Sequence, residues 1–151
     1  MIVVATDEEY KLARKRFKWH IIIKTGVGGI NVIEKLKRVP KWLKITNFGY
    51  VGSNNIPIGT ELNVDYCGMY HPNVSYREKM YKLRNRHYNE FKVVCFTSSD
   101  FVTKCEIKEP VIFDMELAYI RALGFKKLES IKIVSDNLDL KQYEEEINTE
   151  L

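Results

Sequence analysis

Cysteine and histidine are each present only three times in these 151 residues, and neither type falls into the paired spacing of a metal site. Cys67, Cys95 and Cys105 are odd in number, which excludes a disulfide framework and fits reduced thiols in a cytoplasmic protein. No metal and no cofactor are expected. No apolar run approaches the ~20 residues that a membrane helix needs, and Ile2-Val-Val-Ala5 opens the chain without a preceding basic segment, so neither membrane span nor secretory signal is expected. No internal repeat is visible. Thr25-Gly-Val-Gly-Gly-Ile-Asn31 resembles a phosphate-binding turn but lacks the third glycine of a dinucleotide fingerprint and the Lys-Ser/Thr of a P-loop, so it reads as structural.

What is present is enough apolar material for one core. The hydrophobic share is 45%, and a chain of this length buries roughly 70% of its unfolded surface, so residues 1–151 are expected to form a single domain. Short β-branched runs at 2–5, 20–24, 43–47, 61–66, 92–97 and 131–135 read as strands. Amphipathic stretches at 7–18, 29–39, 111–123 and 138–147 read as helices. This alternation predicts an α/β class fold, a single-domain α/β/α sandwich with a mostly parallel, mixed central sheet. Gly124 fits a left-handed cap after the third helix. Residues 68–91 read as a loop leading into a basic helix. The cations Arg77, Lys79, Lys82, Arg84, Arg86 and Lys92 raise the question of nucleic acid, but Glu78 and Glu90 interrupt the run. A run of this kind is usually a solvated helix face, so no nucleic-acid partner is expected.

In open parallel sheets ligands collect outside the carboxyl ends of the strands. Four polar groups fall there: Glu8 and Glu9, Asn47-Phe-Gly-Tyr-Val-Gly-Ser53, Ser98-Ser-Asp-Phe101, and Ser135-Asp136. Each has an ordinary alternative. Acidic residues belong in the first turn of any helix, and Asp136 could cap a helix starting at Leu138. Phe113-Asp-Met-Glu116 places two carboxylates in an otherwise apolar stretch, and a buried ionised carboxylate needs a partner, whether a ligand or a nearby Lys or Arg.

Asn47-Phe-Gly-Tyr-Val-Gly-Ser53, Phe113-Asp-Met-Glu116 and Val134-Ser-Asp-Asn-Leu-Asp139 together resemble the purine nucleoside phosphorylase and nucleosidase superfamily. The resemblance is strongest to the methylthioadenosine/S-adenosylhomocysteine nucleosidases. It implies a nucleoside phosphorylase-like fold and hydrolysis of an N-glycosidic bond. Such cleavage creates an oxocarbenium ion and an anionic leaving base, so the base needs a proton and the sugar a nucleophile. The resemblance assigns Asp136 as general acid and Glu9 to the attacking water. Glu116 would accept from ribose hydroxyls, Met115 would pack on the sugar and Phe101 would stack on the base, with Val51, Gly52 and Ser135 completing the substrate site.

The phosphorylases carry an arginine where this chain has Asn47, and a Gly-Asp-Pro-x-Arg segment after the first strand is missing, so water is the expected nucleophile, with a phosphorylase or a silent nucleoside-binding protein as alternatives. Tyr50 replaces a small residue, Lys132 stands where arginine is usual, Asp114 stands where glutamate is common, and the chain is shorter than is customary. Residues 69–75 resemble a segment that contacts a neighbouring subunit, implying a homodimer or higher homo-oligomer. The expected partner is otherwise a small-molecule nucleoside.

Overall fold

The computed structural model describes residues 1–71, 80–87 and 89–150. In chain order it comprises β1 (Ile2–Val4), α1 (Asp7–Arg16), β2 (Ile22–Lys24), α2 (Gly29–Leu36), β3 (Ile45–Ser53), β4 (Glu61–Asn63) and β5 (Tyr66–Met69). There follow β6 (Tyr81–Lys82), β7 (Val94–Thr97), β8 (Ile112–Asp114), α3 (Leu117–Ala122), β9 (Leu128–Asp136) and α4 (Leu140–Glu150). All nine strands of the described residues join one mixed sheet. β3 is its spine: it pairs parallel with β1 and along its length with β9, then near its carboxyl end runs antiparallel to β8. Beyond β8 the sheet continues through β7, β5 and β6, while β2 flanks β1 and β4 flanks β9.

Alternation along β1 shows why the sheet is covered on both sides. Ile2 and Val4 pack with Ala13 of α1, Phe48, Tyr50, Ile133 and Ile147 of α4, whereas Val3 packs with Val32 and Leu36 of α2 and Leu117 and Ile120 of α3. Helices therefore bury both faces, as an α/β/α sandwich requires. No helix among the described residues is long and apolar enough to cross a membrane.

Several element boundaries differ from the sequence expectation. The stretch 111–123 is not one helix. Ile112–Asp114 form a strand between β3 and β7, because a β-branched and aromatic run buried on both sides suits a sheet interior, and the helix starts only at Leu117. β3 does not stop at Asn47 but runs to Ser53, so most of the 47–53 segment lies within the sheet. The run 61–66 divides into β4 and the start of β5, which pair with different neighbours. Residues 80–87 and 89–92 are strand β6 and irregular chain instead of a basic helix, while 72–79 and 88 fall outside the described residues. Gly124 adopts the expected left-handed conformation at φ 104°.

Candidate active site

A cavity of about 240 Å³ opens where the carboxyl ends of β1, β3, β8 and β9 converge. The structure brings all eight residues singled out from the sequence to its wall: Glu9, Val51, Gly52, Phe101, Met115, Glu116, Ser135 and Asp136. Thr6, Val27, Tyr50, Phe113, Asp114 and Tyr143 also line it.

Glu9 enters through a capping box at the start of α1. Its backbone N–H donates to Thr6 Oγ1 at 3.1 Å, and its Oε1 accepts from the backbone N–H groups of Thr6 at 3.1 Å and Ala5 at 2.8 Å. Oε2 reaches across to β3 and accepts from Tyr50 N–H at 2.8 Å. That approach needs Gly49, since a Cβ there would collide with Glu9 Oε2. Glu9 is thus both the ordinary acidic residue of a first turn and a cavity carboxylate. Burial raises its pKa, against the opposing pull of Lys132 and these three N–H donors.

Asp136 owes its aim to a β-bulge. Along the β3 and β9 pair Val51 faces Val134 but Gly52 faces Asp136, so β9 carries one extra residue beside the cavity. Asp136 Oδ1 accepts from Ser135 Oγ at 2.9 Å and Oδ2 from Leu138 N–H at 2.9 Å. A Cβ on residue 52 would lie 2.8 Å from Oδ2, so glycine is required there. Asp136 is not a helix cap: α4 begins at Leu140, and Asp139 Oδ1 accepts from Lys141 N–H at 2.9 Å. Burial raises the Asp136 pKa despite the Ser135 hydroxyl, which favours the ionised form.

The two carboxylates of the 113–116 segment have separate fates. Asp114 Oδ2 accepts from Lys132 Nζ at 3.1 Å and from Leu117 N–H at 2.8 Å, while Oδ1 accepts from Thr97 Oγ1 at 2.6 Å. The ion pair is almost sealed, with side-chain exposures of 2% for Lys132 and 1% for Asp114. Burial alone would discharge Lys132, but Asp114 and the neighbouring acidic groups outweigh it and hold its pKa above the ordinary lysine range. Among the described residues no lysine or arginine pairs with Glu116. Its Oε2 accepts from Gly28 N–H at 2.8 Å, and burial together with the Asp114 charge pushes its pKa up to about 8. The glycine turn therefore orients Glu116: Gly28 sits at φ 90° as the N-cap of α2 with its N–H aimed at the carboxylate.

No family model and no curated protein matches the sequence. Solved structures do. A 5′-methylthioadenosine/S-adenosylhomocysteine nucleosidase of Helicobacter pylori, complexed with a pyrrolopyrimidine-bearing pyrrolidinol, superposes with a TM-score of 0.76 at 15% identity, covering 99% of this chain and 90% of that one. Futalosine hydrolase of the same organism gives 0.76 at 15% identity over 99% and 90% of the two chains. The corresponding nucleosidase of Chlamydia trachomatis gives 0.75 at 13% identity over 99% and 91%. The fold is nucleoside phosphorylase-like.

Within this nucleoside phosphorylase-like fold, part of the site was out of reach of motif reading. Tyr143 of α4 stands edge-on to Tyr50 at 6.4 Å and to Phe101 at 6.1 Å, so three rings from distant segments form one wall. The heptad-like spacing of α4 marks Tyr143 only as an apolar-face residue. Phe113 is buried and also lines the cavity. Asn47 by contrast lies within the sheet, where it accepts from Ser130 Oγ at 3.1 Å and donates to Val3 O at 3.4 Å. No lysine or arginine is among the described cavity-lining residues. Cys67 and Cys95 are buried and unpaired, and burial pushes the Cys67 thiol up to about 12 and that of Cys95 well above its usual range, so neither is a ready thiolate.

Proposed function

We propose that the protein is an N-ribosyl hydrolase that cleaves the glycosidic bond of a purine-type nucleoside. The observation that carries this reading is the convergence of Glu9, Glu116 and Asp136 with a wall of aromatic rings in one cavity whose described lining holds no cation. In this reading Asp136 gives its proton to a ring nitrogen as the C1′–N bond breaks and the bonding pair leaves with the base. Burial, which raises its pKa, favours the proton-bearing form that such a step needs. Water attacks C1′ and passes a proton to Glu9, whose backbone contacts hold it in place without using all of its lone pairs. Glu116 accepts from the ribose hydroxyls through the carboxylate oxygen that Gly28 leaves free, with Met115 on the sugar and Phe101 on the base. Val51, Gly52 and Ser135 shape the remainder of the site.

A phosphate dianion would meet carboxylates here and no described cation, which favours water over phosphate as nucleophile. The solved structures similar in fold include a methylthioadenosine/S-adenosylhomocysteine nucleosidase and a futalosine hydrolase, which supports a purine-type nucleoside as the substrate class. Association into a homodimer or larger homo-oligomer belongs to the same reading, and a purely monomeric species in sedimentation at micromolar concentration would remove it.

The test is release of free base from a panel of purine and deazapurine nucleosides, methylthioadenosine and S-adenosylhomocysteine included, with and without phosphate. Release without phosphate is expected. Release only with phosphate would make the protein a phosphorylase, and no release from any compound would overturn the catalytic reading.

A further inference from the structure

At the opposite end of the strands the charge reverses. The segments 37–44, 82–87 and 126–127 hold nine of the 24 lysines and arginines and none of the 20 aspartates and glutamates, leaving the remainder of the chain with 15 cations against 20 acids. Backbone pairing gathers these segments. Ile45 N–H donates to Lys127 O at 3.0 Å, Arg84 N–H to Leu128 O at 3.1 Å, and the amino-terminal ammonium to Lys44 O at 3.2 Å. Glu129 stands among them, 3.5 Å from Lys44 Nζ and 3.8 Å from Arg86 Nε. Asp65 also borders the group, its Oδ1 accepting from Asn85 Nδ2 at 2.8 Å, but two carboxylates do not neutralise five cations: Lys44, Arg84, Arg86, Lys126 and Lys127 are all exposed.

Trp42, two residues before Lys44 in the first of these segments, has 72% of its area exposed. Its loop is held firmly, because Lys41 Nζ donates to the carbonyls of Leu36 at 2.9 Å, Lys37 at 3.1 Å and Val39 at 2.9 Å while lying over the Phe125 ring. An exposed indole on a fixed support, in a segment that also carries Lys44 of the basic group, offers a base a flat face while the cations give the neighbouring phosphates their counter-charge. Within the three segments Trp42 is the only large apolar side chain strongly exposed, a single ring that suits stacking on one base. A duplex keeps its bases stacked inside and would leave the indole unused.

We infer that the surface of Trp42, Lys44, Arg84, Arg86, Lys126 and Lys127 binds single-stranded nucleic acid, with the backbone along the cations and a base on Trp42. The inference is independent of the chemistry of the cavity. It also revises the expectation from the linear basic run, since only Arg84 and Arg86 of that run take part, and their companions come from elsewhere in the chain.

Fluorescence anisotropy with an unstructured pyrimidine oligonucleotide of about 20 nucleotides tests it. With five phosphate contacts, log K should fall with log salt at a slope of about −3.5. Lys126→Glu/Lys127→Glu should lower affinity more than tenfold and flatten the slope, while turnover in the cavity and the melting temperature stay unchanged. Trp42→Ala should lower affinity roughly five- to a hundredfold and leave the slope alone. Failure to bind at low salt, binding unaffected by the double charge reversal, equal affinity for a duplex with no effect of Trp42→Ala, or binding to phosphatidylserine vesicles in place of the oligonucleotide would each overturn the inference.

Discussion

Asp136 and Glu116 are buried acids to which the proposed reaction gives different work, and single-atom changes separate them. Asp136→Asn keeps the shape and loses the transferable proton, so turnover is expected to fall at least about 10²-fold. Its circular dichroism spectrum and cooperative melt should stay close to wild type, and undiminished base release would remove Asp136 from the mechanism. Glu116→Gln trades a charged acceptor for a neutral one and should weaken kcat/KM roughly tenfold or more, because a charged hydrogen bond is the stronger. Glu9 teaches a different lesson. First-turn helix chemistry already explains an acid at that position, and its capping bonds are present, yet the same carboxylate reaches Tyr50 N–H on β3 and faces the cavity. A local rule accounted for the residue type, but the contact across 41 positions in sequence became visible only with the strands in place.

The corner between β8 and α3 depends on the sealed pair of Asp114 and Lys132, which fastens β8, β9, Thr97 of β7 and the first N–H of α3 together. Lys132→Met leaves a carboxylate buried without its counter-charge, and unfolding by denaturant should show a loss of about 3–5 kcal/mol. Adding Asp114→Asn removes the stranded charge and should recover more than half of it; equal stability of the single and double variants would show that the pair is not coupled. The β3 and β9 bulge invites a second test. Gly52→Ala sets a methyl 2.8 Å from Asp136 Oδ2, and that oxygen is pinned by Leu138 N–H, so a cost of about 1–3 kcal/mol and a marked fall in turnover are expected. The apolar residues of 111–123 fit either period, so the chain alone suggests one helix where the fold has a strand and a helix. Insertion of Ile112–Asp114 between β3 and β7 resolved it, and sheet neighbours are a non-local property.

Across the molecule, pH should act through the cavity acids. Glu116 has a folded pKa pushed from 4.5 up to about 8, so the native state binds its proton more tightly than the unfolded chain. Stability from this group is therefore full below about pH 4.5 and declines as pH rises towards 8, by an amount on the order of a few kcal/mol. Raised Glu9 and Asp136 act in the same direction. The melting temperature should drop between pH 5 and 8, and Glu116→Gln should flatten the decline; an identical slope in both proteins would contradict the assignment. The class of fold was legible from the chain alone because alternating β-branched and amphipathic runs leave few ways to bury their apolar faces, and short polar segments at strand ends marked one pocket. Spatial order decided the rest: which carboxylate received Lys132, which rings met across the cavity, and which distant lysines joined one surface. Those outcomes depend on the strand order of a mixed sheet, where neighbours are set by packing between segments tens of residues apart, and no local spacing records them.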